Sequence, residues 1–334
     1  MATLGQHLAH HQQMWDELQF SSRREVDVSE IWQRRLQDGV RFRHKYKKLE
    51  QGDLTTWLQG TKQPSAASSK NSSQLVIRLV WVPLLNQQKT LDVADDIYKQ
   101  VRDCFGHELS EGYCKTIPSG IGELRDHQTN GTSQYFFGLQ PKMFMTWSIS
   151  RSSGEINILC VVEEKKLPVI RNLLDQPFIH NIAGHTTSPA LICATFLSLE
   201  IETTQDEVKR QVRQVEVRTG HHSWKSRTER PALGDLTSLS AKMSGSSIRC
   251  GSCLKKQRSL TEVLDFISSQ LHSPTLTGLA PKGSTVSQSY ALDMVNMLQK
   301  RVTAQEADNS FIQCRVDTQL NAVSCRGVSR LSIK

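Results

Sequence analysis

The sequence predicts an α+β chain, with an α/β core followed by long helices. Three observations predict it. Leu75-Val-Ile-Arg-Leu-Val-Trp-Val-Pro83 is β-branched and aromatic, the composition of a strand. Two more apolar segments, Phe144–Ser150 and Glu155–Val162, flank Ser152-Ser-Gly154, a turn signal that joins them as a hairpin. From Pro189 onward apolar residues recur at three- and four-residue spacing, the period of a helix.

Residues 1–59 read as a helical region, because Val28, Ile31, Trp32 and Leu36 recur at three and four residues, flanked by Arg34, Arg35 and Arg41. Residues 60–73 are rich in Ser, Lys, Gly and Pro and read as a linker. The α/β core is assigned to 74–189. It holds a strand over Gln74–Leu85 that Pro83 ends, a helix over Asp92–Phe105, a short strand at Tyr135-Phe-Phe-Gly138, the hairpin, and a short helix at Leu167–Leu174. A helical region spans 190–271: Ala190–Thr219, with Pro189 in its first turn and Gly220 just past its end, then Leu233–Leu271, with a break expected near Gly245 or Gly251. Residues 272–286 form a connector. Over 287–325 the seam Val295, Leu298, Val302, Ile312, Val316 and Leu320, interrupted by Gln305 and Asn309, predicts a coiled-coil stalk helix. Residues 326–334 continue no seam and read as a disordered tail.

Hydrophobic residues make up 37% of the 334 and mean hydropathy is -0.42, values that suit long solvated helices. Eight cysteines without an apolar leader point to reduced thiols and a cytoplasmic location. The uncharged window Gln176–Leu199 is continuously apolar only in Ala190–Leu199, Thr195 and Ser198 aside, and so short a run cannot cross about 30 Å of hydrocarbon. It reads as a buried helix start.

Charge is concentrated. Residues 207–258 carry 12 Lys/Arg against 4 Asp/Glu, and the rest of the chain holds 29 of each sign, so the net +8 resides in one window. A basic face through Lys255, Lys256 and Arg258 would suit an acidic protein, anionic lipid or nucleic acid. Nucleic acid ranks last of the three: Trp224 is the window's main aromatic, and no recognition signature accompanies it.

Catalytic chemistry finds no motif. Cys250-Gly-Ser-Cys253 lacks the strand that precedes a redox dithiol and the second pair that would complete a zinc site. These two thiols, with Cys314 and Cys325, read as incidental. His221 and His222 point about 100° apart on a helix, with no carboxylate three or four residues away to complete a metal site. Neither a nucleophile elbow nor a phosphate-binding loop occurs, so no catalytic or cofactor-binding residue is assigned.

Glu216-Val-Arg-Thr-Gly-His-His-Ser-Trp224 is distinctive. With Gly234-Asp-Leu-Thr-Ser-Leu-Ser-Ala-Lys-Met243 and Phe137-Gly-Leu-Gln-Pro-Lys-Met-Phe-Met-Thr-Trp-Ser148, it resembles the cytosolic region of fungal CorA-like magnesium transporters over Gln74–Leu320. The resemblance implies an α/β/α sandwich leading into long helices, the last a stalk, with five copies assembling and magnesium bound between cytosolic domains. The expected membrane spans are missing after Val323, and no Gly-Met-Asn occurs. The expectation is therefore a domain truncated before the pore, not transporting by itself, and membrane-associated only in a full-length form that carries the spans. No magnesium ligand can be matched. Glu216, Arg218, Gly220, His221, His222 and Trp224 are expected to be structural, with Gly220 stopping the helix and Trp224 packing back on it.

Overall fold

Strand β4 (Ser73–Leu85) is the axis of a mixed sheet. On one side it pairs with β2 (Glu25–Leu36), which pairs in turn with β3 (Gly39–Glu50), both antiparallel. On the other side β9 (Ile156–Glu163) runs parallel to it, with Ile77 opposite Ile156 and Pro83 opposite Val162. Antiparallel β8 (Met143–Ile149), β7 (Ser133–Leu139) and β6 (Ser119–Arg125) complete that side. Two short strands, β1 (Gln19–Phe20) and β5 (Thr90–Leu91), lie along the end of β4. The computed structural model describes residues 18–36, 39–59, 73–85, 90–116, 119–125, 133–139, 142–150, 153–219, 233–272 and 284–331.

Helices cover both faces of this sheet. Val80, Val82, Leu159, Val161, Phe136 and Phe144 pack against α1 (Gln51–Leu58), α2 (Asp95–Phe105) and α3 (Glu108–Thr116) through Leu54, Ile97, Val101, Phe105 and Cys114. Alternation sends Ile77, Leu79, Trp81, Met145 and Trp147 to the opposite face, toward α4 (Leu167–Leu174), α5 (Pro177–Ile182) and the first turn of α6 (Ser188–Thr219). There Arg171 lies over the Trp81 ring, and the Cys193 thiol is 3.7 Å from Met145 sulfur. Trp81, Trp147, Phe137 and Phe144 are fully buried, each contributing roughly 1.5–3 kcal/mol of apolar transfer. The chain divides into two compact units. The sandwich unit is Met1–Cys193 with Glu262–Val295, and the helical unit is Ala194–Thr261 with Asn296–Lys334.

The helical unit is built from α6, α7 (Leu233–Leu271) and α8 (Ser284–Leu331). Each buries a three-four repeat. In α6 it runs Ser198, Ile201, Gln205, Val208, Val212, Val215, Thr219. In α7 it runs Leu236, Leu239, Met243, Ser246, Cys250, Cys253, Gln257, Leu260, and in α8 Leu298, Val302, Gln305, Asn309, Ile312, Val316, Gln319, Val323. This is a coiled-coil seam. Helices α6 and α8 run parallel, clamped by ion pairs Glu202–Arg301, Lys209–Asp308 and Glu216–Arg315, each seven residues beyond the last. Helix α7 runs antiparallel to them: Ser247 meets Gln313, and Ser246 meets Gln211.

Several expectations hold: the α+β class, the β4 segment, the hairpin closing at Gly154 (φ 68), and the buried helix start at Ala190. Others are corrected. Residues 25–50, expected helical, form the β2–β3 hairpin. The three-four spacing of Val28, Ile31 and Trp32 arises where the register shifts between Ile31 and Trp32, and from polar residues buried on both faces of β2. Pro83 does not end β4: the parallel pairing with β9 runs on through Pro83 opposite Val162 to Leu84 opposite Glu163. Helix α7 passes Gly245 and Gly251 unbroken: an isolated glycine costs about 1 kcal/mol, less than the seam returns. Helix α8 extends to Leu331, so residues 326–331 are helical and not a disordered tail. The 60–72 part of the linker and residues 273–283 lie outside the described residues.

Candidate functional site

Of the distinctive 216–224 string, the structure describes the first part. Glu216 accepts two hydrogen bonds from Arg315, at 2.9 and 2.6 Å, a bidentate pair between α6 and α8. Arg218 pairs with Asp235 at the start of α7 at 3.0 Å. Thr219 ends α6 and donates to Gln319 Oε1 at 2.6 Å. These side chains lock three helices in register. Gly220, His221, His222 and Trp224 lie outside the described residues.

The basic face is corrected at its centre. Lys256 is 5% exposed, with Nζ 3.7 Å from Glu200 and 3.1 Å from Thr204 Oγ1, so it holds α7 to α6. Lys255 and Arg258 are exposed. Three more of the window's cations are tied down as well: Arg249 to Glu207, Lys209 to Asp308, and Arg218 to Asp235. A window basic in sequence is thus cross-linked by ion pairs within the helical unit, to Glu207 and Asp235 inside the window and to Glu200 and Asp308 outside it.

Cys250 and Cys253 are consecutive seam positions, which accounts for their three-residue spacing without any redox role. Burial, with the neighbouring Cys253 and Asp317, pushes the Cys250 thiol up to about 11, far from the reactive thiolate. Around it the seam is polar. Asn309 Nδ2 donates to the Cys250 carbonyl at 3.3 Å, and Gln305 Nε2 to the Ser198 carbonyl at 3.0 Å. Gln205 Nε2 donates to the Gln305 carbonyl at 2.7 Å. Neither end of the Gln257 amide finds a hydrogen-bond partner among the described residues. No group of three or more His, Cys, Asp and Glu that could hold a metal ion occurs among the described residues.

The sandwich holds two constellations that no motif announces. His107 is completely buried, with Thr146 Oγ1 3.0 Å from Nδ1 and Ser148 Oγ 3.2 Å from Nε2. Ser148 donates its own proton to the Phe105 carbonyl at 2.8 Å. Burial carries His107 from its ordinary 6.5 down to about 3, against a bond to the Asn157 backbone, so it stays neutral and fixes the β8–α3 packing.

On the other face Ser29, His44 and Asp175 form a hydrogen-bonded chain in the order of a hydrolytic triad. Ser29 Oγ is 3.0 Å from His44 Nε2, and Asp175 Oδ1 is 2.7 Å from Nδ1. Their separations of 15 and 131 residues leave no local signature. The burial is inverted for catalysis: Asp175 is exposed, whereas Ser29 is 1% exposed under Trp81, whose indole N–H donates to Oγ at 2.9 Å. A nucleophile needs access to substrate, and this hydroxyl, enclosed and holding the Trp81 N–H on one of its lone pairs, has no such access. Beside it Arg171 stacks on Tyr46 at 4.2 Å and donates to Asp27 at 3.0 Å. Burial opposes ionisation of Asp27, but the hydrogen bonds from Tyr46 and Arg171 outweigh it and hold its carboxyl below the usual range. The whole network fastens β2 and β3 to α4.

No protein-family model matches the chain, and no curated protein matches it. Among the described residues no helix is long and apolar enough to cross a membrane.

Proposed function

We propose that this chain is a non-enzymatic assembly domain on the cytosolic plan of CorA-like magnesium transporters, in which a sandwich carries long helices and copies join through them. The supporting observation is the order of the chain: a sheet covered on both faces by helices, then three long seam-bearing helices ending in the stalk-like Ser284–Leu331. Within one copy the described residues offer no cluster fitting a magnesium ion, and no ligand is assigned. The test is thermal unfolding and sedimentation velocity of the full chain in EDTA and in millimolar magnesium, at matched ionic strength. Magnesium should raise the melting temperature and shift the assembly state. Indifference of both to magnesium rejects the cation-linked reading.

One observation favours an enzyme, the Ser29–His44–Asp175 chain, and it has its own test. A fluorophosphonate probe should leave the native protein unlabelled, because Ser29 is enclosed. Labelling that Ser29→Ala abolishes would establish a hydrolase in place of the assembly domain. The docking face for acidic partners, anionic lipid or nucleic acid retains Lys255 and Arg258 of its three named residues.

A further inference from the structure

Helix α8 has a second face. Beside its buried seam, roughly 100–140° round the helix, Met297 and Phe311 are 53% and 61% exposed, and Lys300, Ala304 and Asp308 between them are exposed too. At 100° per residue these five side chains fall within an arc of about 80°. They form one stripe about four turns long. Large exposed apolar side chains aligned on a rigid helix mark a docking surface more than scattered ones do.

We propose that this stripe is the interface of an antiparallel homodimer, centred on Ala304 and occupied by the same stripe of a second copy. The sequence is self-complementary about that point. With Ala304 facing Ala304, the antiparallel register sets Met297 against Phe311 and Lys300 against Asp308, and each pairing occurs twice. Small side chains at the two-fold axis let the helices approach, the thioether meets the ring, and charges of opposite sign face each other. The parallel in-register alternative sets Lys300 against Lys300 and Asp308 against Asp308, and like charges opposed at a contact are unfavourable. Asp308 already contacts Lys209 of its own copy at 2.9 Å, which holds the carboxylate at the rim of the stripe. This interface does not rest on the transporter reading. It requires no magnesium, and its two-fold order differs from the five-copy assembly that the resemblance implies.

The test uses the full chain with Cys104, Cys314 and Cys325 replaced by serine, in EDTA, so that its outcome is independent of any magnesium effect. Sedimentation velocity at tens of micromolar should show a dimer. Phe311→Glu should weaken it at least roughly tenfold, about 1.4 kcal/mol, with the far-UV circular dichroism unchanged. Lys300→Glu should weaken it as well, and adding Asp308→Lys should restore it. Under mild oxidation, a mixture of Met297→Cys chains and Phe311→Cys chains should cross-link to each other, while neither variant cross-links alone. A monomer at all concentrations overturns the proposal. So does a dimer indifferent to Phe311→Glu, or self-cross-linking of Met297→Cys, which marks a parallel pair.

Discussion

In the helical unit one local rule accounts for nearly everything. The three-four repeat selects Ser198 through Thr219, Leu236 through Leu260 and Leu298 through Val323, and it sets Glu202, Lys209 and Glu216 opposite their partners at seven-residue steps. In the sandwich unit no local rule suffices. Strand β2 exists because Val28 meets Val80 and Lys47, and Ser29 is buried because Trp81 lies over it. The two units also bury polarity differently. The sandwich wraps ionisable groups in long-range networks such as Asp27–Arg171–Tyr46. The helical unit leaves amides in its seam, where polar residues fix register at some cost in stability.

Deleting a core ring should produce the largest effect and separate the units. Phe137→Ala should cost about 3–5 kcal/mol, read as a lower urea midpoint in tryptophan fluorescence. The described tryptophans, Trp32, Trp57, Trp81 and Trp147, lie in the sandwich unit, so their fluorescence reports on it. If far-UV circular dichroism falls with the same midpoint, the two units unfold together.

In the helical unit the counterpart is Lys256→Met. It leaves Glu200 buried beside an apolar chain and should cost about 3 kcal/mol, measured by urea unfolding in far-UV circular dichroism. Lys256→Met with Glu200→Leu should recover most of the loss. A neutral single variant would mean that the pair is open to water.

Acid should act on the sandwich first. Burial lowers both His107, to about 3, and His185, so the unfolded chain takes up their protons more readily than the folded one. Their stabilisation is complete above the ordinary histidine value of 6.5; for His107 it declines as pH falls toward 3, by up to about 1.4 kcal/mol per pH unit, and His185 adds to the loss in the same direction. Urea midpoints followed by fluorescence between pH 7.5 and 4.5 should show this slope, and His107→Gln should flatten it.

The smallest effect has the opposite sign. Gln257→Leu removes an amide without partners among the described residues and should stabilise by about 1 kcal/mol, seen as a higher midpoint. Destabilisation would show that the amide is satisfied within the seam.

Part of this was legible beforehand. The 144–162 hairpin carried its own turn, and the α8 seam through Val295, Leu298 and Val302 carried its own period. The seams of α6 and α7 were legible only if Gln205, Thr219, Cys250, Cys253 and Gln257 were accepted as core positions, which polarity argues against. The same acceptance dissolves the cysteine motif. The triad-like Ser29–His44–Asp175 chain and the buried His107 had no local signal.

The sequence by itself determined the α+β class, the long helices and the concentration of charge in 207–258, because periodicity and composition act over a few residues. The tertiary structure decided that 25–50 is a hairpin, that Lys256 is an internal clamp, and that Ser29 is sealed. Those outcomes depend on partners tens to more than a hundred residues away, and burial and pairing exist only once the chain has brought them together.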